Sequence, residues 1–253
     1  MNSSLAPEVV GNEERSPTLG RMIFNRIGNI ERARLQTRFL QLLSTLPVWD
    51  QLVFRGAVAI HGVYLHGRSS PDLDFLAPAE VKERFVEIMR SQGISLQEKE
   101  DARIPYFSMR GTVFQDVAIG VDVCERESHL MTWNWEQFQG ANGLQIPVRV
   151  MPLALLMAEK LRATSRRSRP NDFFDFWLFC QKRPDLLPEL QRALHIGSVD
   201  GEDLEFDAHD TWNHFQETRS YWHERLIAHM PTVPSFERVE TDLGRVLESF
   251  KTA

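Results

Sequence analysis

The spacing of apolar residues along the chain switches between helical and extended several times. Over 29–46, Ile30, Ala33, Phe39, Leu40, Leu42 and Leu43 recur with Arg32, Arg34, Arg38 and Gln41 between them. That spacing predicts an amphipathic helix with Asn29 at its cap and an end before Pro47. The apolar triplet Leu52-Val53-Phe54 then suits a short buried strand, Gly56 follows it, and Ala57-Val58-Ala59-Ile60 opens a helix. Pro71 biases Ser70 toward an extended chain, and Asp72-Leu73-Asp74-Phe75 alternates as a strand does. Leu73 and Phe75 are expected to face the core, and Asp72 and Asp74 to project together from the other side. Val81, Phe85, Ile88 and Met89 predict a helix over 79–91 lying on a sheet, stopped by Gly93. Strands over 94–98, 106–110 and 113–123 follow, with Gly111-Thr112 as the turn between the last two. In the third of them Asp122 alternates with Val121 and Val123.

The second half reads differently. Trp133, Asn134 and Trp135 precede a turn-rich Gly140-Ala141-Asn142-Gly143 and a strand over 147–150. The tryptophans suit capping a core or covering a strand edge more than stacking on a base. From Pro152 the pattern turns helical, with Leu153, Leu156, Met157 and Leu161 on one face and Lys160, Arg162, Arg166, Arg167 and Arg169 close by. Pro170 is expected to end this helix and Asn171 to cap the next, with Asp172 and Asp175 in its first turn, where carboxylates suit the positive end of the helix dipole. Phe173, Phe176, Trp177 and Cys180 form its apolar face. A short helix over 184–193, an acidic loop over 197–210, a helix over 211–229 capped by Asp210, and a last helix over 236–250 complete the chain. His209, Asp210 and His214 read as cap and surface residues rather than a metal site.

Composition narrows the class. The chain has 253 residues, 42% hydrophobic and 25% charged, which is ordinary for a globular protein. The polar first 20 residues, with scattered Pro and Gly, read as an arm. The expected division is an arm over 1–25, a core domain over 26–151 and a helical domain over 152–253. Two cysteines, Cys124 and Cys180, make no disulfide framework. No apolar run is long enough to span a bilayer, and the N-terminus lacks the plan of a signal peptide, so the expected location is cytoplasmic. A net charge of −6 argues against a surface dominated by non-specific nucleic-acid binding. The run from Lys160 to Arg169 is a local basic patch within that acidic whole.

The chemistry concentrates at Asp72 and Asp74. Two carboxylates this close repel unless a cation lies between them, and a hard divalent ion such as Mg²⁺ is the usual solution where phosphates are involved. The string from Leu52 to Phe75 resembles the AbiEii/AbiGii-type nucleotidyltransferase toxins of the polymerase-β-like superfamily. Their pattern is an apolar strand, K/R-G-G-T/S-A-L, a helix, then R-x-S-x-D-L/I-D-F. Here it stands as Arg55-Gly56-Ala57-Val58-Ala59-Ile60 and Arg68-Ser69-Ser70-Pro71-Asp72-Leu73-Asp74-Phe75. A second block, Glu159-Lys160-Leu161 followed by basic residues and Asn171-Asp172-Phe173-Phe174-Asp175, resembles the family's E-K-L-x-A and R-D-x-x-D-L.

The resemblance implies an α/β (α+β) fold: a polymerase-β-like mixed sheet with flanking helices, followed by a helical C-terminal domain. It implies a metal triad of Asp72, Asp74 and Asp122, with Lys160 reaching the nucleotide phosphates. Arg55, Gly56, Arg68, Ser69 and Asp172 would surround the nucleotide, and Asp172 and Asp175 would hold nearby basic side chains in place. It also implies Mg²⁺ or Mn²⁺ as cofactor, an NTP as substrate, an RNA or tRNA acceptor, and a cognate antitoxin as partner, with no membrane role. Three positions depart from the pattern. Ala57 replaces the second glycine, Val58 replaces a hydroxyl residue and so cannot donate a hydrogen bond, and Asn171 stands where the family has arginine. Two other readings stay open: transfer to a small molecule, which the acidic net charge favours over RNA, and a non-catalytic binding module, which these departures motivate.

Overall fold

In the computed structural model, residues 19–92, 97–98, 106–110, 118–126, 131–195 and 206–251 are described. Helix α1 (Leu19–Leu43) is followed by a short helical turn and by strand β1 (Val53–Arg55). Helix α2 (Gly56–Ala59) continues as π-helical turns over Ile60–Leu65. Strand β2 (Asp72–Ala77), helix α3 (Ala79–Ser91) and strands β3 (Gln97–Glu98), β4 (Tyr106–Arg110), β5 (Ala118–Glu125), β6 (Asn134–Gln139) and β7 (Gln145–Val150) complete the N-terminal part. The strands form one seven-stranded mixed sheet in the order β3-β4-β5-β2-β1-β7-β6. β2 runs antiparallel to β1 and parallel to β5, and β1 runs parallel to β7.

The sheet is two-faced, as the alternation requires. Leu73, Phe75, Val121 and Val123 are wholly buried, and α1 and α3 pack against β5. The helices carry Leu35, Phe39, Leu40, Leu43, Val81, Phe85 and Met89 into the same core. The other face of β2 and β5 bears the half-buried carboxylates of Asp72, Asp74 and Asp122.

The C-terminal part is helical: α4 (Leu153–Thr164), α5 (Pro170–Lys182), α6 (Leu187–His195), α7 (Ala208–Glu217), α8 (Trp222–Leu226) and α9 (Phe236–Lys251). Its centre is aromatic. The Phe215 ring stacks on Phe236 with centroids 4.5 Å apart, and Phe173 and Trp222 meet Phe215 edge-on. The buried apolar side chains of the sheet part and the helical part form one continuous cluster. No described helix is long and apolar enough to cross a membrane.

Several boundaries differ from the sequence reading. The expected arm over 1–25 falls partly outside the described residues, and α1 already runs from Leu19. Asn29 is therefore inside a helix and caps nothing. Its amide donates to the Ala228 carbonyl at 2.7 Å and its oxygen accepts from Arg32 at 2.9 Å. Asp207, not Asp210, caps α7, its carboxylate accepting from the Asp210 N–H. The predicted helix over 211–229 breaks after Thr218 into a helical turn and α8. The expected Gly111-Thr112 turn lies outside the described residues. Of the tryptophans expected to cap a core or cover a strand edge, Trp135 is 52% exposed on the edge strand β6, while Trp133 lies half-buried under the Arg149 guanidinium.

Candidate active site

The end of β1 meets β2 where Arg55 pairs in register with Asp74, and Asp74 pairs in turn with Asp122 of β5. Asp72 lies two residues before Asp74 on the same face. Three carboxylates thus stand side by side where the start of β2 lies against the middle of β5, neighbouring strands being about 4.8 Å apart. Gly56 makes this possible. Its φ is +74°, and a Cβ built on it would lie 1.9 Å from Asp74 Oδ2. Only a residue without a side chain lets the carboxyl group lie against the turn.

Opposite the strands, α4 and α5 form the second wall of a cleft of about 580 Å³. Asp72, Asp74 and Asp122 line it on one side, and Lys160, Arg167, Arg169 and Asn171 on the other. Burial pushes the Asp74 carboxyl up to about 7, and the charges of Asp122 and Asp72 add to this against the pull of Arg55 and Lys160. Among the described residues, no three His, Cys, Asp or Glu side chains are drawn together around a common point where an ion would sit. The donor set nevertheless fits a hard divalent cation. It offers carboxylate oxygens only, crowded by like charge, and an aspartate rotates about two bonds to converge on an ion.

Behind the cleft lies a charged cluster centred on Asp175, whose side chain is wholly buried. Arg68 grips it through two bonds, Nε to Oδ1 and Nη2 to Oδ2, both 2.6 Å. His61 Nε2 lies 2.8 Å from Oδ1, and Lys160 Nζ 2.8 Å from Oδ2. Lys160 also donates to Asp172 Oδ1 at 2.8 Å, and Arg167 reaches Asp172 Oδ2 at 2.8–2.9 Å. The Gly67 N–H donates to His61 Nδ1 at 3.2 Å, which leaves the proton on Nε2, facing Asp175. Burial draws the His61 pKa down and outweighs the pull of Asp175, so the ring is neutral. Burial alone would raise the Asp175 carboxyl, but Arg68, Lys160 and His61 hold it well below the usual range. Burial likewise opposes the charge on Lys160, yet Asp172 and Asp175 carry its pKa above the ordinary value. The cluster fixes one ammonium group, charged, on the wall facing the carboxylates.

A nucleotidyltransferase family model, described as nucleotidyl transferase AbiEii toxin of a type IV toxin–antitoxin system, matches residues 38–243. The chain belongs to the AbiEii nucleotidyltransferase toxin family. Among solved structures, it is similar to MenT4, a nucleotidyltransferase toxin from Mycobacterium tuberculosis H37Rv. The TM-score is 0.70 at 21% identity, covering 92% of this chain and 88% of that one. A Helicobacter pylori protein designated a nucleotidyltransferase gives a TM-score of 0.52 at 15% identity, covering 87% and 95% of the two chains. These likenesses concern the fold. No curated protein matches the chain.

As an AbiEii-family member the protein is a nucleotidyltransferase with the expected α/β fold. The structure brings Arg55, Gly56, Arg68, Asp72, Asp74, Asp122, Lys160 and Asp172 into the one cleft. Ser69 is not among the lining residues. Its N–H and hydroxyl are turned to the His229 carbonyl, at 3.0 and 3.2 Å. Asn171 is not a cap, because α5 begins at Pro170, whose missing N–H suits the first helical position. Asn171 is carried into the cleft instead. Asp172 and Asp175 do not merely complement the helix dipole, since both serve as anchors for cations. The basic run also divides. Arg162 is buried, bonded to Glu159 and the Ala193 carbonyl, whereas Arg166 and Arg169 are exposed.

The Val58 departure is smaller than it looks in the sequence. Val58 is buried in the core and does not line the cleft. Two residues of the site have no motif signal. His61 lies within an apolar helical run, and His229 lies in the turn after α8. The first is marked in the sequence only as a histidine that follows Ala57-Val58-Ala59-Ile60.

Proposed function

We propose that the protein is a metal-dependent nucleotidyltransferase that moves a nucleoside monophosphate from an NTP to a hydroxyl of an RNA, tRNA in particular. In this reading it is the toxin of a toxin–antitoxin or phage-defence pair, acts in the cytoplasm and is opposed by a cognate antitoxin. The observation that carries the reading is the cleft itself: three strand carboxylates face a lysine locked in place by two buried aspartates.

Asp72 and Asp74 would hold the nucleotide's divalent ion, Mg²⁺ or Mn²⁺, and Asp122 would share in a second. Such ions neutralise phosphate charge and stabilise the entering and leaving oxygens of an in-line displacement. Lys160 meets the triphosphate, with Arg55 and Arg167 adding positive charge. Asp122 takes the proton of the acceptor hydroxyl. The hydroxyl oxygen forms a bond to the α-phosphorus, the bond from that phosphorus to the bridging oxygen breaks, and pyrophosphate leaves with the electron pair. Catalysis of this kind is mostly positioning and charge stabilisation, which a prepaired cluster provides without rearrangement. The exposed Arg166 and Arg169, with Arg167 at the cleft, offer the acceptor a cationic approach.

The test is a transfer assay with each of four α-³²P-labelled NTPs, Mg²⁺ and total bacterial RNA, beside an Asp72→Ala/Asp74→Ala control. Label entering RNA with the native protein alone supports the proposal and identifies the nucleotide. No label above the control with any NTP rejects an RNA acceptor.

A further inference from the structure

Buried polar groups in folded proteins find hydrogen-bond partners, so one that does not calls for a physical explanation. Among the described residues, Asn171 Oδ1 and His229 Nδ1 are buried side-chain atoms with no such partner. Both residues line the same cleft, from two different elements. Asn171 stands in the first turn of α5, one residue before the Asp172 that holds Lys160. His229 lies in the turn after α8, and its position is fixed because its carbonyl accepts from both the Ser69 N–H and the Ser69 hydroxyl.

The two differ in kind from the charged residues of the cleft. Arg55, Lys160 and Arg167 are cations and the triad is anionic, and together they suit phosphate and metal. Asn171 is neutral. His229 is neutral too, because burial, and then the charges of Arg68 and Arg32, push its pKa down to about 4. A neutral ring and an amide are poor competitors for a triphosphate beside a fixed ammonium group. They are suited to directional hydrogen bonds with an uncharged polar ligand. Asn171 Oδ1 can only accept, so the ligand must offer an N–H or O–H. A ribose hydroxyl and a base edge both do so.

Resting on the nucleotidyltransferase reading above, we infer that Asn171 and His229 bind the nucleoside part of the NTP and set which nucleotide is accepted. A nucleoside that pairs with these two atoms gains hydrogen bonds that an analogue without the matching group forgoes. That is how a polar site discriminates against an analogue lacking the group.

The experiment measures binding to the full chain with Mg²⁺ by calorimetry, for the four NTPs, the matching 2′-dNTP and inorganic tripolyphosphate. It compares the native protein with Asn171→Ala and His229→Ala. For each variant the preferred NTP should bind about tenfold or more weaker, as expected for a lost buried hydrogen bond. Tripolyphosphate should bind unchanged, and the melting temperature of the unliganded variants should stay the same or rise. Equal weakening with the 2′-dNTP assigns the contact to the base, and insensitivity of the 2′-dNTP to Asn171→Ala assigns it to the ribose. The inference is overturned if the variants lose tripolyphosphate and NTP affinity alike, or lose neither. If the native protein binds tripolyphosphate and no NTP, the inference fails while the phosphate site stands. If it binds neither, the nucleotidyltransferase reading of the cleft fails with it.

Discussion

Replacing Asp175 by asparagine removes one negative charge from a cluster in which Asp172 and Asp175 face Arg68, Lys160 and Arg167. The shape is kept, but the amide presents a donor where Arg68 or Lys160 also donates. Taking one partner out of a buried ion pair costs about 3–5 kcal/mol, because the remaining charge stays in a poorly solvating place. Here Arg68 holds both carboxylate oxygens at 2.6 Å and is almost wholly buried, so water cannot substitute. For a chain of this size each kcal/mol is worth about 2–4 °C, which gives a melting point lower by about 6–20 °C. Urea unfolding of the Asp175→Asn variant at pH 7, with an unchanged slope, is the direct assay. The pH dependence adds a second test. A carboxyl held below its unfolded value contributes stability that is fully present above that value and is lost as pH falls through the folded one. The gap between native and variant should therefore be constant from pH 5 to 8 and narrow only in acid. A loss below about 1 kcal/mol, or a gap that changes between pH 5 and 8, would refute the role of Asp175 as the charged centre of the cluster.

Three further outcomes follow from the same geometry. Gly56→Ala places a Cβ against Asp74 Oδ2 and strains a positive φ, at a cost of about 1–2 kcal/mol; calorimetry should also show Mg²⁺ affinity reduced as Asp74 is displaced. Asp74→Asn should stabilise the metal-free protein at pH 7–8 by about 2–4 kcal/mol. That advantage should vanish below about pH 4, because a carboxyl raised to about 7 loses its stabilising proton as pH climbs to that value; urea melts across pH 4–8 measure it. Val58→Thr restores the hydroxyl type of the family pattern yet should leave NTP affinity unchanged in calorimetry, because the side chain faces the core, and should cost about 1–3 kcal/mol as a buried unpaired hydroxyl.

The sheet and its carboxylates were legible in the sequence because a strand advertises itself by alternation. Asp72, Leu73, Asp74 and Phe75 state both the element and the face, and Asp122 does the same between two valines. Lys160 and the two aspartates of α5 were legible as a pattern, and the family resemblance implied that the aspartates hold nearby cations, but not which cations. Nothing in the spacing says that Lys160 would sit between Asp172 and Asp175, or that His61, 114 residues away in the chain, would complete the set. Such contacts arise from packing the π-helical turns over Ile60–Leu65 against α5, and pairwise polarity carries no signal of long-range neighbours. Helix ends were missed for a local reason. Asn29 and Asn171 have the chemistry of caps, and only the tertiary setting shows that one is spent on Ala228 and the other faces a cleft.

The hydrogen bonds at Ala228 and His229 have a mechanical consequence. The covalent path between the two halves runs through 151–153, which alone would act as a hinge. Asn29 and Ser69 fasten the turn after α8 back to the sheet half, and Gln36 ties Ser70 to α1. A joint latched at a second point behaves as a frame, stiff against opening. Entry and departure of ligand should then fall to individual side chains of the cleft, such as the part-exposed Arg167. The radius of gyration in solution should therefore stay constant on saturation with nucleotide.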